Sequence, residues 1–567
     1  MKKKKKKLLL YGFLALLAII IGIFIFLGRY TDRVIDPYVR SLLEETKPMG
    51  HKIEYKKIRV NLFRGSIILK EVRMFPDTSV TKDHLRMEIN VKDIRLTGFR
   101  IIQMLFHKKL MIKDMLIKDP DVKLMLPHKT DTIVQEVRKE KPRTKGSQLL
   151  TQISLEKIIF SGGSFQLIRD SVILAKSHDI YLLAQSISLV KDSREDPIGF
   201  TYGDIRLNLS ETELHSETGL YDMRLAGFSF TKADSTIILD GFSMVPKYDK
   251  KEFSRKLAFQ NDRFDVKIGQ VKIGGIGIER FLAGGPLEIS SIIIDSLKAD
   301  IYRDKNVAFN LQRFPPFYNE SFLAIPIPLY IDTVAVTNSK IQYGELVAGH
   351  PVAGSIRLDN FSLHSYDLTN QTAKDTVDNV MHLYVQAMVM GEGPMKAELI
   401  LPLEGDLHKF QCSGSVGAMK LSPLNDMLEP SINMKFNGGK VNRMTFFFTA
   451  NDNTSKGWME FLYQDLDVVL VKKKPGKEWG FVSLLANWVA VSNNPAPGKD
   501  LKIVEIGYER DKNKGIINYV WKTIQSGMVH TIIPTNKHTI NRKQDKKEQD
   551  QGKNNGKKKD KKNKKNK

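Results

Sequence analysis

The sequence predicts a mainly β protein. An N-terminal transmembrane helix leads into repeated antiparallel β structure with a few short helices, and a disordered basic tail ends the chain. Three observations carry this. An uncharged run of twenty residues lies near the start, a five-point apolar pattern recurs four times with matched spacing, and the last 27 residues have almost no apolar side chains.

The anchor comes first. Lys2–Lys7 precede Leu8–Leu27, twenty uncharged and mostly apolar residues. At 1.5 Å per residue such a helix spans about 30 Å, the hydrocarbon thickness of a bilayer. A cleaved signal has a shorter apolar region and ends in small residues, whereas this run ends in FLGRY. The reading is an uncleaved single-pass membrane anchor through residues 8–27. Its lysines stay cytoplasmic and the body from Arg29 onward lies on the far side.

After the anchor, Val34, Ile35, Tyr38, Val39, Leu42 and Leu43 recur with helical period and predict a short amphipathic helix. Residues 51–75 alternate as two strands around a turn at FRGS. A strand leading into a short helix near Ile101–Phe106 follows. Residues 127–148 are polar and aperiodic and read as a loop or linker. From Leu149 to about Pro534 short β patterns dominate. One helical stretch interrupts them, at Phe481, Leu484, Leu485, Trp488 and Val489. The segments are therefore 1–28 lysine block and anchor, 29–126 helix and β region, 127–148 linker, 149–394 repetitive β body, 395–540 β region with a short helix, and 541–567 tail.

The recurring pattern has apolar residues at offsets 0, 3, 5, 10 and 12. Its copies are Ile112, Met115, Ile117, Val122, Leu124; Leu155, Ile158, Phe160, Phe165, Leu167; Ile289, Ile292, Ile294, Ala299, Ile301; and Ile331, Val334, Val336, Ile341, Tyr343. The residues between offsets 5 and 10 are KDPD, SGGS, DSLK and TNSK, which read as turns. The expectation is a hairpin in which Ile117 faces Val122 and Met115 faces Leu124. The odd step from offset 0 to 3 breaks strict alternation and predicts a bulge or strand junction there. Offset 11 is polar in each copy (Lys123, Gln166, Asp300, Gln342), so one face is dry and the other wet. A shorter form, h-x-x-h-x-h with h apolar, recurs at Val91/Ile94/Leu96 and Leu225/Phe228/Phe230, among others. The dry face has two uses. It packs as the filled core of a sandwich or barrel, or it lines a groove on one long curved sheet. Periodicity does not separate them.

Charge and chemistry narrow the function. The formal net charge is +24, of which Lys2–Lys7 supply +6 and residues 541–567 supply +9, from 13 Lys and Arg against 4 Asp and Glu. The mild remainder argues against a nucleic-acid partner. No phosphate loop, nucleophile elbow or H-E-x-x-H motif is present. Cys412 is the lone cysteine and has no nucleophile signature around it. No enzyme activity, cofactor or metal is expected. The four tryptophans fall near the end of the body, where packing in a terminal core is expected.

The opening "VNLFRGSIILKEVRMF" and "FRIIQMLFHKKLMIKDMLIKDPDVKLML" resemble the start of AsmA-like proteins of Gram-negative envelopes. The late "LSPLNDMLEPSINMKFNGGKVNRMTFFF", followed by "GWMEFLYQDLDVVLV", resembles the end of their body. The resemblance implies a long, curved antiparallel β-sheet with an apolar concave groove, anchored in the inner membrane and projecting into the periplasm. It implies phospholipid transport to the outer membrane, or support of outer-membrane assembly, with no catalytic residues to carry over. The implied groove residues are Met115, Ile117, Val122, Leu124, Ile158, Phe160, Phe165, Leu167, Ile292, Ile294, Ile301, Val334, Val336, Ile341 and Tyr343, and the implied ligand is phospholipid acyl chains. The basic tail departs from the family pattern and suits an anionic surface or a protein partner. The rival expectation is an envelope scaffold with a filled β core that binds protein partners.

Overall fold

The computed structural model describes residues 36–43 in part, 51–61, 65–77, 85–99, 109–127, 152–190, 200–216, 218–371, 379–470, 490–535 and 537–540. The expected anchor, the expected helices near 101–106 and 481–489, the linker at 127–148 apart from Pro127, and the tail lie outside the described residues. Among the described residues no helix is long and apolar enough to cross a membrane. The chain is mainly β and divides into two compact units. The N-terminal unit comprises residues 1–247 and 267–292, and the C-terminal unit residues 248–266 and 293–567.

In the N-terminal unit the helical residues near 36–43 set Val39 and Leu43 against a cluster of Tyr55, Ile58, Leu69, Leu96, Ile112 and Leu155. The Tyr55 hydroxyl donates to the Asp36 carboxylate at 2.8 Å and ties the helix down. Lys57–Asn61 and Ser66–Pro76 pair as the expected hairpin. Arg86–Thr97 then pairs antiparallel with Ser66–Pro76.

The repeats correct the hairpin expectation. Lys109–Lys118 and Asp121–Met125 do not fold back on each other. Both pair antiparallel with Arg86–Thr97 in one register, Ile94 opposite Ile117 and Ile89 opposite Val122, so they are one strand interrupted at 119–120. That strand lies parallel to the second copy. Met115 stands beside Ile158, Ile117 beside Phe160, Val122 beside Phe165 and Leu124 beside Leu167. In the C-terminal unit Lys298–Asp304 likewise lies parallel to Leu329–Leu346, with Ala299 beside Ile341 and Ile301 beside Tyr343. The sheets are thus mixed rather than antiparallel. Parallel neighbours need a crossover of a dozen or more residues. In the C-terminal unit residues 305–328 make that return; in the N-terminal unit the residues between Pro127 and Gln152 lie outside the described ones.

The supposed turn residues make a kink instead. Offset 7 is left-handed in every copy: Asp119 (φ 48), Gly162 (φ 74), Ser296 (φ 58) and Asn338 (φ 50). Asp, Asn, Ser and Gly tolerate this region for the same reasons that suit them to turns. In Leu329–Leu346 the register against Gly354–Thr369 slips on either side of Ser339, which is a β-bulge. The slip carries Val336 and Ile341, an odd five residues apart, to one face. The odd step from offset 0 to 3 also has a local cause. Offset 1 faces a left-handed residue on the antiparallel neighbour: Gly98 across from Lys113, Ser186 from Glu156, Gly275 from Ser290 and Asp367 from Asp332. The shorter pattern shares this, with Glu71 across from Lys92 and Gly241 from Ala226.

The two parallel junctions close with the same backbone bonds. Asp119 N–H donates to Ser161 O at 2.9 Å and Ser164 N–H to Pro120 O at 2.8 Å. Ser296 N–H donates to Thr337 O at 3.1 Å and Lys340 N–H to Leu297 O at 2.7 Å. They differ at one pair. The Leu297 N–H donates to the buried Ser339 hydroxyl at 3.1 Å, which itself donates to Thr337 O at 2.7 Å. In the other junction Pro120 has no N–H to satisfy, and Gly163 stands where Ser339 does. Ser339→Ala should therefore leave the half-buried Leu297 N–H without its acceptor and cost about 1–3 kcal/mol. Urea unfolding checks this, and an unchanged midpoint would refute it.

The C-terminal unit continues as an antiparallel meander from Leu329–Leu346 through Gly354–Thr369, Val380–Val389, Gly393–Pro402 and Phe410–Val416 to Met434–Ala450, Thr454–Leu470 and Ile503–Glu509. The helix Ile516–Ile532 closes it, where the sequence pattern predicts β structure. Ile516, Tyr519, Thr523, Gly527 and Thr531 are buried at helical spacing. The small residues let the helix lie close: a Cβ on Gly527 would stand 2.4 Å from Ile506 Cγ2. The Lys502 ammonium donates to the carbonyls of His530, Ile533 and Thr535 at 2.7, 2.9 and 2.8 Å. It thereby satisfies the acceptors that a helix end leaves open.

Candidate functional site: an apolar sheet face

The register places the repeat residues in rows that run across the strands. In the N-terminal unit one row reads Ile58, Leu69, Ile94, Ile117, Phe160, Leu182, Leu207, Phe230, Ile237, each beside the next on a neighbouring strand. All nine are apolar. A second row reads Met87, Leu124, Leu167, Ala175, Leu214, Met223, Met244 and is again wholly apolar. The row beside it reads Glu88, Lys123, Gln166, Lys176, Glu213, Arg224, Ser243 and has no apolar member. Cross-strand neighbours share a face and strand neighbours alternate. Beside the second row the sheet is therefore dry on one side and wet on the other, as offset 11 anticipated, whereas the row next to the first one, Ile68, Arg95, Leu116, Ile159, Leu183, Arg206, Thr231, is mixed.

The dry face is not equally covered along its width. Ile58, Leu69, Ile117 and Val122 are buried. Beyond them Phe160, Phe165, Leu167, Leu182, Leu207, Phe230 and Ile237 are half-buried, as are Met115, Leu124, Ile158 and Ile292. The helical residues near 36–43 cover one end, through Val39 and Leu43. The other described helix of this unit, Ile278–Leu282, buries none of its residues.

The C-terminal unit treats its dry face differently. The row Val336, Leu363, Val385, Ala397, Gly414, Phe446, Met459, Val504 runs across eight strands. It ends under the helix Ile516–Ile532, where Met459 and Val504 are fully buried. The adjacent row passes through Cys412 and Phe448 to Ile506, and Tyr519 meets Phe410 edge to face at 5.7 Å. This end is a filled core. Of the sequence-predicted residues here, Val336 is buried, while Ile294, Ile301, Val334, Ile341 and Tyr343 are half-buried. The Tyr343 hydroxyl donates to Glu345 at 2.9 Å, so that row ends in polar groups. Arg303, two residues beyond Ile301, grips the Asp262 carboxylate with two bonds of 2.7 Å.

Two tryptophans depart from the expected terminal core. Trp458 is half-buried on the wetter face, beside Phe447 and Glu505, and Trp521 is exposed on the last helix. Trp479 and Trp488 lie outside the described residues. Cys412 is buried, and burial pushes its thiol up to about 12, which leaves no thiolate for nucleophilic work. Among the described residues no three His, Cys, Asp or Glu side chains are placed to hold a metal. A cavity of ≈ 480 Å³ in the C-terminal unit is lined by Asn360, Gln386, Met395, Lys396, Ser415 and Arg443. No family model matches the chain, and no curated protein matches it significantly.

Proposed function

We propose that this is a membrane-anchored periplasmic lipid-binding protein of the AsmA-like kind, held by residues 8–27, that shields phospholipid acyl chains on the dry face of its N-terminal unit. Carriage of phospholipid between the inner and outer membranes, or support of outer-membrane assembly, would follow from that. The observation that carries the reading is the unbroken apolar row from Ile58 to Ile237. At about 4.8 Å per strand its eight steps amount to about 38 Å, more than the hydrocarbon thickness of a bilayer. Acyl chains gain about 0.8 kcal/mol per methylene removed from water, so a face this wide has ample driving force. The parallel, in-register copies support the reading because they keep apolar beside apolar from strand to strand. The rival reading, a scaffold with a filled core, has its support in the C-terminal unit, whose own helix occupies the dry face.

A site-specific photocrosslinker tests this in the full chain in membranes. Placed at Phe160 or Leu207 it should capture phospholipid, and at Gln166 on the polar row it should not. Capture at Gln166 equal to that at Phe160, or none at Phe160 and Leu207, would sink the proposal.

A further inference from the structure

The C-terminal unit carries a second apolar feature that its own fold does not use. The helix Ile516–Ile532 has an apolar stripe along one flank of its buried face. Ile517 is 60% exposed and Trp521 43%, with the half-buried Ile524 and Met528 following at helical spacing. Beside the start of this helix lies the loop 310–316. Leu311 is 72% exposed and Phe314 67%. The two pieces are joined: the Asn513 side-chain amide donates to Leu311 O at 2.7 Å and to Arg313 O at 3.1 Å.

These side chains protrude from a fastened platform. Phe317, just past the loop, is fully buried, meets Phe410 edge to face at 5.6 Å and lies 4.2 Å under the Arg510 guanidinium. Within the loop the Gln312 N–H donates to Asn310 Oδ1 at 2.9 Å. A large aliphatic or aromatic residue held out in water by a well-tied loop costs hydration free energy for nothing unless something covers it.

The surrounding charge says what does. Arg313, Lys512 and Lys514 stand around the cluster. Asp511 and Asp452 lie among them, the latter paired with both Arg510 and Lys512, so the local balance is a modest positive excess. The chain leaves the described fold at Ile540, whose N–H is bound to Ile503 O at 2.9 Å, at the far end of the last strand from the start of the helix, so the tail reaches the cluster only by its length. The 27 residues that follow carry 13 Lys and Arg against 4 Asp and Glu. Protruding apolar and aromatic side chains inside a basic field match the interface of an anionic bilayer. The rings and aliphatic groups enter the acyl boundary there while lysines and arginines meet phosphates.

We infer that Leu311, Phe314, Ile517 and Trp521 form a membrane-docking tip that inserts into an anionic phospholipid surface. The basic tail strengthens that contact electrostatically. This goes beyond the acyl-chain face of the N-terminal unit and stands or falls separately from it.

Because Cys412 is buried, a polarity-sensitive thiol dye on Phe314→Cys or Ile517→Cys of the full chain reports one position. Glu213→Cys on the polar row is the control. Vesicles of phosphatidylethanolamine with phosphatidylglycerol should shift the dye to the blue at 314 and 517 but not at 213. Phosphatidylcholine vesicles should shift it little. In the presence of the tail, Leu311→Ser with Trp521→Ser should weaken docking to anionic vesicles about tenfold or more, from the lost apolar burial, with circular dichroism unchanged. Three results would overturn the inference. They are no shift at 314 and 517, an equal shift at 213, or a shift without vesicles that grows with protein concentration, which would name a second copy as the partner.

Discussion

Gly163→Ala is expected to destabilise the N-terminal unit by about 2–5 kcal/mol, combining left-handed strain with overpacking. Gly163 has φ +89, and a Cβ there would lie 2.1 Å from Pro120 O and 2.6 Å from Pro120 N. Those are backbone atoms of the neighbouring parallel strand and cannot swing aside. Gly219 separates the two causes, since it has φ +67 but a Cβ there would meet nothing within 4 Å. Gly219→Ala should cost only the conformational part, about 1 kcal/mol. Urea unfolding followed by a probe in the N-terminal unit gives both numbers. Equal losses for the two variants would mean that close approach at the parallel junction is not what requires glycine.

The second large effect contrasts the two units. Met459→Asp should prevent the C-terminal unit from folding. It puts a carboxylate at a fully buried position beneath Gly527. The several kcal/mol of such burial are comparable with a whole domain's stability of about 5–15 kcal/mol. Phe160→Asp makes the same kind of change on the half-buried row of the N-terminal unit. There the charge keeps contact with water, so the fold should survive and phospholipid capture should fall. Limited proteolysis and thermal melting of each variant decide it. If Phe160→Asp unfolds its unit as thoroughly as Met459→Asp unfolds the other, both dry faces are filled cores.

Much of the dry face was legible in the sequence, because spacing is a property of the chain. The five-point pattern located the apolar residues, and the polar offset 11 located the wet face. What it could not supply was the partner of each strand. Asp119, Gly162, Ser296 and Asn338 look like turn residues because left-handed backbone is common to tight turns and to bulges. Only long-range pairing decides whether the chain reverses. A clue was present in the copy spacing: 112 to 155 and 289 to 331 are the very offsets at which the strands lie side by side. The helix Ile516–Ile532 was hidden for another reason. Its Ile, Val, Thr and Tyr residues favour strands, and burial against Met459 and Ile506 overrides that local preference. The apolar and small residues at 516, 519, 523, 527 and 531 were the available signal.

The difference between the two parallel junctions bears on how such a repeat can change over time. Where Pro120 stands against Gly163, leucine at 120 would add an N–H facing a residue with no hydroxyl to receive it. Serine at 163 would meet the proline backbone before that N–H existed. Where Leu297 stands against Ser339, loss of the serine comes at once with an unanswered donor. Each junction is thus a matched pair, and conversion of one into the other passes through a damaged intermediate whichever residue changes first. Copies that began alike would be held apart at these positions, free to drift elsewhere along the strand but not at the crossing point.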